Sequence, residues 1–325
     1  MILTKTYRIW ITLGKWLLAI IGFAFIYKQV FLKSEYELLQ TNFIHYYTIS
    51  NIIYFLIPAA ILVLVNWGVE SYKWKYIIKP LENISMLQAL KGILAGVATG
   101  FFTPNRIGEF GGRILYLNHA DKISSSISTL AGSFAQLIAT VMFGCLAMVA
   151  YNIDLHLTNY YITALLFFVA ILLISSLLLL YYNFSKLADL FSLRLYLPRF
   201  YDKFAHLKNA NSAYLSKIMW LSVFRYFTFC IQYILLLYFF QVNITFENAF
   251  VCVSLIYLLH TAIPTVAIIE AGVRGAGALA VIGPYTHQPT EILLAAYTLW
   301  IINIILPSLL GLYLIARINI KNFNT

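Results

Sequence analysis

Charged residues are scarce in this chain. Of its 325 residues only 10% are charged, whereas 62% are hydrophobic. A soluble domain averages roughly 25% charged and about 45–50% apolar residues. The surplus of apolar side chains excludes an ordinary soluble domain, because only lipid can accommodate so much apolar surface. The sequence therefore predicts an integral membrane protein with all-α architecture and one membrane domain over residues 1–325.

Cysteine residues are also few, and sequence motifs of known catalytic sites are missing. The three cysteines each lie in an apolar run, and no Cys/His spacing typical of a metal site occurs. Neither a Gly-x-Ser-x-Gly nucleophile elbow nor a phosphate-binding P-loop is present. We therefore expect no metal, no cofactor and no catalytic residue set, and we favour a non-enzymatic role.

Acidic residues are fewer than basic ones, 12 against 22, which gives a net charge of +10. The Lys and Arg residues lie mostly between apolar runs, a pattern typical of the positive-inside rule and of contact with anionic headgroups. The charge pattern thus predicts membrane lipids as partners and gives no reason to expect nucleic acid.

Six apolar runs are long enough to cross a bilayer, which takes about 20 residues. We predict spans at Leu13–Leu32, Ile49–Asn66, Ser126–Tyr151, Ile162–Tyr182, Ile218–Phe240 and Ile292–Ala316. No cleavage site follows the first run, so it is predicted to be a retained span. Residues 184–211 mix Leu and Phe with basic residues at helical spacing, which indicates an amphipathic helix on the cytoplasmic leaflet.

Two further apolar regions, 88–118 and 249–282, are interrupted by glycine and proline. Each is either a helical hairpin or a broken span, since irregular backbone at membrane depth needs protein or a watery cavity around it. Residues 151–161 and 241–248 contain no Lys or Arg. Placing the basic segments in the cytoplasm requires two re-entrant hairpins, one entering from each side, and cytoplasmic termini.

The first interrupted region carries charges that are costly inside a bilayer. Arg106, Glu109 and Arg113 have spacings of three and four residues, so they can pair on a helix. Thr103 and Pro104 fit the cap and first turn of a half-helix, whose free N–H groups attract an anion. Two arginines beside such a terminus suit a phosphate group.

The second region repeats this chemistry, with Glu270 four residues before Arg274 and Pro264 upstream. Opposed hairpins of similar chemistry are found in inverted-repeat transporters, with the binding site near the midplane. Alternatively, each Glu–Arg pair is a self-neutralising ion pair that touches no substrate, and glycines such as Gly112 only permit close helix packing.

Three other polar residues can be interpreted as structural rather than functional. Arg225 either snorkels to the cytoplasmic headgroups or contacts substrate. His260 is either a hydrogen-bonded packing residue or a proton relay. Glu70, together with Trp67, is interpreted as an interfacial anchor, with Glu70 paired to a nearby Lys.

The motif Pro104-Asn105-Arg106-Ile107-Gly108-Glu109, followed by Arg113, resembles that of the lysylphosphatidylglycerol synthase transmembrane-region family. Ile263-Pro264 with Gly272-Val273-Arg274 is similar to the second motif of that family, although Glu270 precedes Arg274 and Gly275 stands where an acidic residue often follows. The resemblance implies a flippase-like membrane unit, here a stand-alone member without the soluble aminoacyltransferase domain.

We therefore expect a lipid flippase-like transporter in a bacterial cytoplasmic membrane, which handles a phospholipid or another lipid-linked headgroup. The alternatives are a membrane enzyme that acts on lipid-linked substrates and a scaffold for a partner lipid-modifying enzyme. The sequence is also compatible with a homo-oligomer. The candidate substrate-binding residues are Pro104, Arg106, Gly108, Glu109, Arg113, Arg225, Glu270 and Arg274.

Overall fold

The computed structural model describes residues 46–103, 106–183, 211–263 and 267–317, and these residues form helices without any strand. Most helices begin at a side chain that accepts a backbone N–H of the first turn, as at Ser85, Asp121, Asn159, Asn211 and Thr245. The described helices are α1 Ile49–Ile78, α2 Met86–Phe101, α3 Gly108–Ile114, α4 Lys122–Asp154, α5 Tyr160–Tyr182, α6 Ser212–Phe239, α7 Phe246–Ala262, α8 Ala267–Ile282 and α9 Pro289–Ala316.

Five of these helices, namely α1, α4, α5, α6 and α9, are long and apolar enough to cross a membrane. They confirm five of the six predicted spans and the all-helical, multi-pass fold. The sixth, Leu13–Leu32, and almost all of the predicted amphipathic segment 184–211 lie outside the described residues. Helix α1 continues twelve residues past its predicted end at Asn66, to Ile78, because the charges of Glu70 and Lys73 are paired inside the bundle.

Helix α6 forms the centre of the bundle and α5 its periphery. Half of the most apolar window of α6 is buried, and the helix packs against α1, α4, α7 and α9. Only 6% of the corresponding window of α5 is buried, although its mean hydropathy of 2.8 is the highest. Apolar side chains that remain exposed in this way are stable in lipid, so α5 presents a lipid-facing surface.

One end of the bundle gathers the basic residues, and we call it the basic end. The Tyr214 hydroxyl donates to the Ile77 carbonyl at 3.1 Å, which brings the start of α6 beside the end of α1. The carboxylate of Glu82 accepts the backbone N–H groups of residues 118–120 at 2.9 to 3.2 Å. Cations that lie at this end are Lys75, Lys79, Lys122, Lys217 and Arg317.

The opposite end joins residues 154–159, 240–245 and 283–288, which contain no Lys or Arg. The Tyr285 hydroxyl donates to the Asp154 carboxylate at 2.6 Å, and the Asn243 N–H donates to the Gln288 side chain at 2.7 Å. The segregation of charge between the two ends is the arrangement that the positive-inside rule favours for a membrane protein.

The first interrupted region folds as a hairpin whose two ends both lie at the basic end. Helix α2 runs inward from Met86, and α3 returns along it to Ile114. The Thr99 hydroxyl donates to the Gly108 carbonyl at 2.7 Å near the tip, and the Gln88 amide donates to the Tyr116 carbonyl at 2.6 Å near the base. Glycines permit this close approach: a Cβ on Gly96 would lie 2.8 Å from Cγ of Arg113.

The second interrupted region forms a hairpin that starts and finishes at the opposite end. Helix α7 runs inward from Phe246, and α8 returns to Ile282. The Cys252 thiol lies 3.6 Å from the Val281 carbonyl near the base, and a Cβ on Gly277 would lie 3.5 Å from Nε2 of His260 near the tip. The inner ends of α2 and α3 therefore face those of α7 and α8 inside the bundle.

Candidate functional site

A cavity of about 310 Å³ lies where the two hairpin tips approach the spanning helices. Side chains from α1, α4, α6, α7, α8, α9 and the tip of the first hairpin line it. Its charged lining residues are Arg106, Arg225, Glu270 and Arg274. Its aromatic walls are formed by Trp67, Tyr226, Phe229, Tyr257 and Trp300.

Arg225 reaches the cavity from the central helix α6 and is held on three sides. Its Nε donates to the Asn66 side chain at 2.8 Å, its Nη1 lies 3.3 Å from the Glu70 carboxylate, and its guanidinium lies 5.0 Å from the ring centre of Phe229. Only 14% of the Arg225 side chain is exposed. The interpretation of Arg225 as a snorkelling residue is therefore wrong, because its partners lie in the protein interior.

Glu70 is the centre of a buried ion cluster. Its carboxylate lies 2.8 Å from Nζ of Lys73, 2.9 Å from Nη2 of Arg113 and 3.3 Å from Nη1 of Arg225. The Glu70 side chain is only 4% exposed. A buried charge is tolerated when it is paired. The predicted pairing with a nearby Lys is confirmed, but the prediction of an interfacial anchor is wrong, since Glu70 joins α1, α3 and α6 inside the bundle.

Arg113 and Glu109 form the predicted ion pair along α3. Arg113 is 5% exposed, and its second carboxylate partner is Glu70. Neither Arg113 nor Glu109 lines the cavity. The pair therefore lies behind the wall of the cavity, where it ties the first hairpin to α1.

Arg106 occupies the tip of the first hairpin in a left-handed backbone conformation with φ of 57°. Such a conformation is uncommon for a residue with a side chain. The Arg106 side chain lines the cavity, close enough to Glu109 and Glu270 for electrostatic interaction with both. Among the described residues it has no ion-pair partner within 4.0 Å.

The start of the half-helix differs from the prediction. Helix α3 begins at Gly108 and not at Pro104, and Pro104 lies outside the described residues. The Thr103 hydroxyl accepts the Gly108 N–H at 2.8 Å, so the first N–H of the helix is already satisfied. A Cβ on Gly108 would lie 2.8 Å from that hydroxyl, which explains the glycine by packing. The start of α3 therefore offers one free N–H fewer than the prediction of an anion-binding helix terminus assumed.

Glu270 and Arg274 form the predicted ion pair on α8, and both line the cavity. His260 lies opposite them on α7. Both of its ring nitrogens are buried and have no hydrogen-bond partner among the described residues, so the prediction of a hydrogen-bonded packing histidine is wrong. The second hairpin therefore brings one ion pair and one unpaired imidazole to the same cavity.

A chain of buried amides extends from Arg225 to α9. The Asn66 amide donates to the Asn303 side chain at 3.3 Å, the Asn303 amide donates to Gln232 at 2.8 Å, and the Gln232 amide donates to the Ala59 carbonyl at 2.9 Å. Asn303 lies in a π-helical stretch, Ile301–Ile305. Such stretches occur frequently at functional sites, and here the stretch faces the cavity.

The structure thus brings four predicted residues, Arg106, Arg225, Glu270 and Arg274, to one cavity and places Arg113 and Glu109 behind it. Sequence reasoning missed the roles of Glu70 and Lys73. One signal was available: these two opposite charges, three residues apart, lie between Trp67 and Trp74. Such flanks suggest a buried pair more than a surface one.

Comparison with known protein families matches residues 11–311 to the lysylphosphatidylglycerol synthase TM region. No curated protein and no solved structure matches the chain. The match covers most of the sequence and includes both hairpins. The chain therefore belongs to the lysylphosphatidylglycerol synthase TM-region family, whose members are membrane proteins related to the modification or flipping of lipids.

Proposed function

We propose that this protein is a flippase-like transporter that binds the phosphate-bearing headgroup of a membrane lipid in the central cavity and carries it between leaflets of a bacterial cytoplasmic membrane. The observation that supports the proposal most strongly is the presence of three guanidinium groups, from Arg106, Arg225 and Arg274, around one cavity inside a multi-pass bundle. Guanidinium groups bind phosphate oxygens in a forked geometry.

The cost of these charges supports a role in binding. A charged side chain at the centre of a bilayer costs about 2.5–3.5 kcal/mol on insertion scales, so such residues usually line a substrate pathway. Arg225 and Arg274 have carboxylate partners, whereas Arg106 reaches the cavity without an ion pair among the described residues. A lipid phosphate would supply the counter-charge for Arg106.

The opposed hairpins support a transport cycle. The first hairpin begins and ends at the basic end, the second at the opposite end, and both tips reach the cavity. Transporters with two such elements bind substrate at a site near the midplane, and this site opens to each side of the membrane in turn. We infer that the basic end is cytoplasmic and that the hairpins are re-entrant, so that each hairpin forms the gate on its own side.

Reconstituted liposomes test the proposal. Phosphatidylglycerol with a fluorescent label would be placed in both leaflets, and a membrane-impermeant quencher would report the label that reaches the outer leaflet. We expect wild type to transfer label, and Arg106→Ala to be slower by about tenfold, the effect of losing roughly 1.36 kcal/mol of transition-state stabilisation. The control is Lys79→Ala, which removes an exposed cation at the basic end. Equal slow transfer by wild type and Arg106→Ala would refute transport.

Lipid extracts distinguish the transporter from an enzyme. Cells with and without the gene would be compared for lipid species and for leaflet distribution. A transporter changes the distribution and leaves the species unchanged. A lipid product that depends on the gene would refute transport as the primary activity and favour a membrane enzyme.

A further inference from the structure

The charges that face the cavity are unequal in number. Arg106, Arg225 and Arg274 contribute three positive charges, whereas Glu270 is the one carboxylate among the lining residues that the structure describes. Glu270 is already paired to Arg274. A ligand in the cavity therefore meets an excess of positive charge.

The ion cluster behind the wall does not reverse this excess. Glu70 neutralises Arg225 only in part, because the same carboxylate also pairs with Lys73 and Arg113. Glu109 is bound to Arg113. Among the described residues, the cavity wall and the cluster together hold five cationic side chains and three carboxylates, an excess of two positive charges.

Polar groups around the cavity also lack partners. The indole nitrogens of Trp67 and Trp300 and both ring nitrogens of His260 are buried and have no hydrogen-bond partner among the described residues. These three side chains line the cavity. An indole N–H is a donor only, and a buried donor without an acceptor is costly. Oxygen atoms of a bound headgroup are acceptors of the kind that these donors lack.

The aromatic walls raise the question of a cationic ligand, since rings of this kind bind quaternary ammonium groups. Here the guanidinium of Arg225 already lies over Phe229 at 5.0 Å and near Trp67 at 5.8 Å. Two of the aromatic faces are thus occupied by a protein cation. Coulomb repulsion from the remaining positive charges, in a medium of low dielectric constant, outweighs the attraction of a ring for an added cation.

We propose that the cavity selects a headgroup of net negative charge that is rich in oxygen acceptors, and that it rejects a headgroup of net positive charge, including lysyl-phosphatidylglycerol. The inference rests on the proposed function, because it names the class of lipid that the same cavity binds. The ligand of the cavity would then be an anionic glycerophospholipid, although the family of this chain takes its name from the aminoacylated lipid.

Binding measured without transport separates this inference from the proposed function. The purified full-length protein in detergent would be mixed with equal amounts of phosphatidylglycerol, phosphatidylcholine and lysyl-phosphatidylglycerol, and the retained lipids would be counted by native mass spectrometry. We expect phosphatidylglycerol to be retained about tenfold over lysyl-phosphatidylglycerol, and phosphatidylcholine to lie between them.

Charge reversal within the cavity provides the specific test. Arg106→Glu changes the cavity charge without breaking any ion pair between described residues, and we expect it to abolish the preference for phosphatidylglycerol. Lys79→Glu makes the same change at an exposed position, and we expect it to keep the preference.

Equal retention of phosphatidylglycerol and lysyl-phosphatidylglycerol by wild type would overturn the inference. An equal loss of preference in the two variants would overturn it as well. Selective retention without movement in liposomes would refute transport and leave the binding preference standing.

Discussion

The guanidinium of Arg113 binds the carboxylate of Glu70 at 2.9 Å across 43 residues of sequence, and both side chains are almost fully buried. The contact fixes the first hairpin to α1. Through the same carboxylate, Arg113 is linked to Arg225, which faces the cavity. The position of a cavity-lining cation thus depends on an ion cluster that lies outside the cavity lining.

Removal of the Glu70 charge is expected to destabilise the protein strongly. In Glu70→Gln, three buried cations lose a shared carboxylate, and breaking a buried ion pair in this way costs about 3–5 kcal/mol. Thermal unfolding in detergent, followed by Trp fluorescence, measures the loss. The matched control is Glu247→Gln, which removes an exposed carboxylate on the first turn of α7 and should leave the melting temperature nearly unchanged. Equal melting temperatures for the two variants would contradict the role of Glu70.

Two adjacent glycines of α3 are expected to respond differently to alanine. A Cβ on Gly112 would overlap the Thr99 hydroxyl and the Ala95 carbonyl, whereas a Cβ on Gly111 would meet nothing within 4 Å. Gly112→Ala should therefore cost about 1–3 kcal/mol by overpacking. Gly111→Ala should instead stabilise the helix by up to about 1 kcal/mol. Unfolding in detergent compares the variants, and a similar loss in both would show that the hairpin is not closely packed at Gly112.

The loop contact of Glu82 is expected to make stability depend on pH. Burial alone would raise the pKa of the Glu82 carboxyl, but the N–H groups of residues 118–120 outweigh it and hold the pKa below its usual value. A carboxyl with a lowered folded-state pKa stabilises the protein above its unfolded pKa of about 4.3, and the contribution disappears as the pH falls through the folded value.

The comparison of wild type with Glu82→Gln isolates this contribution. The difference in free energy of unfolding between wild type and Glu82→Gln should be largest at neutral pH, and it should vanish once Glu82 is protonated. Amide hydrogen exchange at His119 and Ala120 should increase over the same range, since the two N–H groups lose their acceptor. An advantage that stays constant as the solution is acidified would contradict the contact.

Cysteine labelling is expected to place the two ends of the bundle on opposite sides of the membrane. The native cysteines are buried and should react little, so single exposed sites can be added directly. Asn83→Cys, at the basic end, should react with an impermeant maleimide only from the cytoplasm, and Leu157→Cys only from outside. The reverse pattern would show that the orientation proposed from the basic residues is inverted.

Features that depend on nearby residues could be predicted from the sequence. The five described spans follow from the length of the apolar runs, and the pairs Glu109–Arg113 and Glu270–Arg274 follow from helical spacing. The glycines indicated two breaks in the helical pattern. The first motif was also sufficient to indicate the family, which the match over residues 11–311 confirms.

Features that depend on distant residues could not be predicted. The partners of Glu70 lie on α3 and α6, and no spacing in the sequence relates them. Arg225 resembled a headgroup anchor because its position near one end of a span is visible, whereas its contact with Asn66, 159 residues away, is not. The left-handed backbone of Arg106 and the π-helical stretch at Asn303 result from tertiary packing, so local propensity gives no sign of them.

Cross-linking of a lipid headgroup tests whether the cavity binds lipid. Phosphatidylglycerol with a photo-reactive diazirine on its glycerol headgroup would be irradiated with the protein in membranes, and the modified peptides identified by mass spectrometry. We expect modification around Gln136, Arg225 and Trp300, and we expect unlabelled phosphatidylglycerol and the variant Arg274→Gln to reduce it. Modification confined to the lipid-facing side of α5, around Phe168, with no effect of the competitor or the variant, would contradict it.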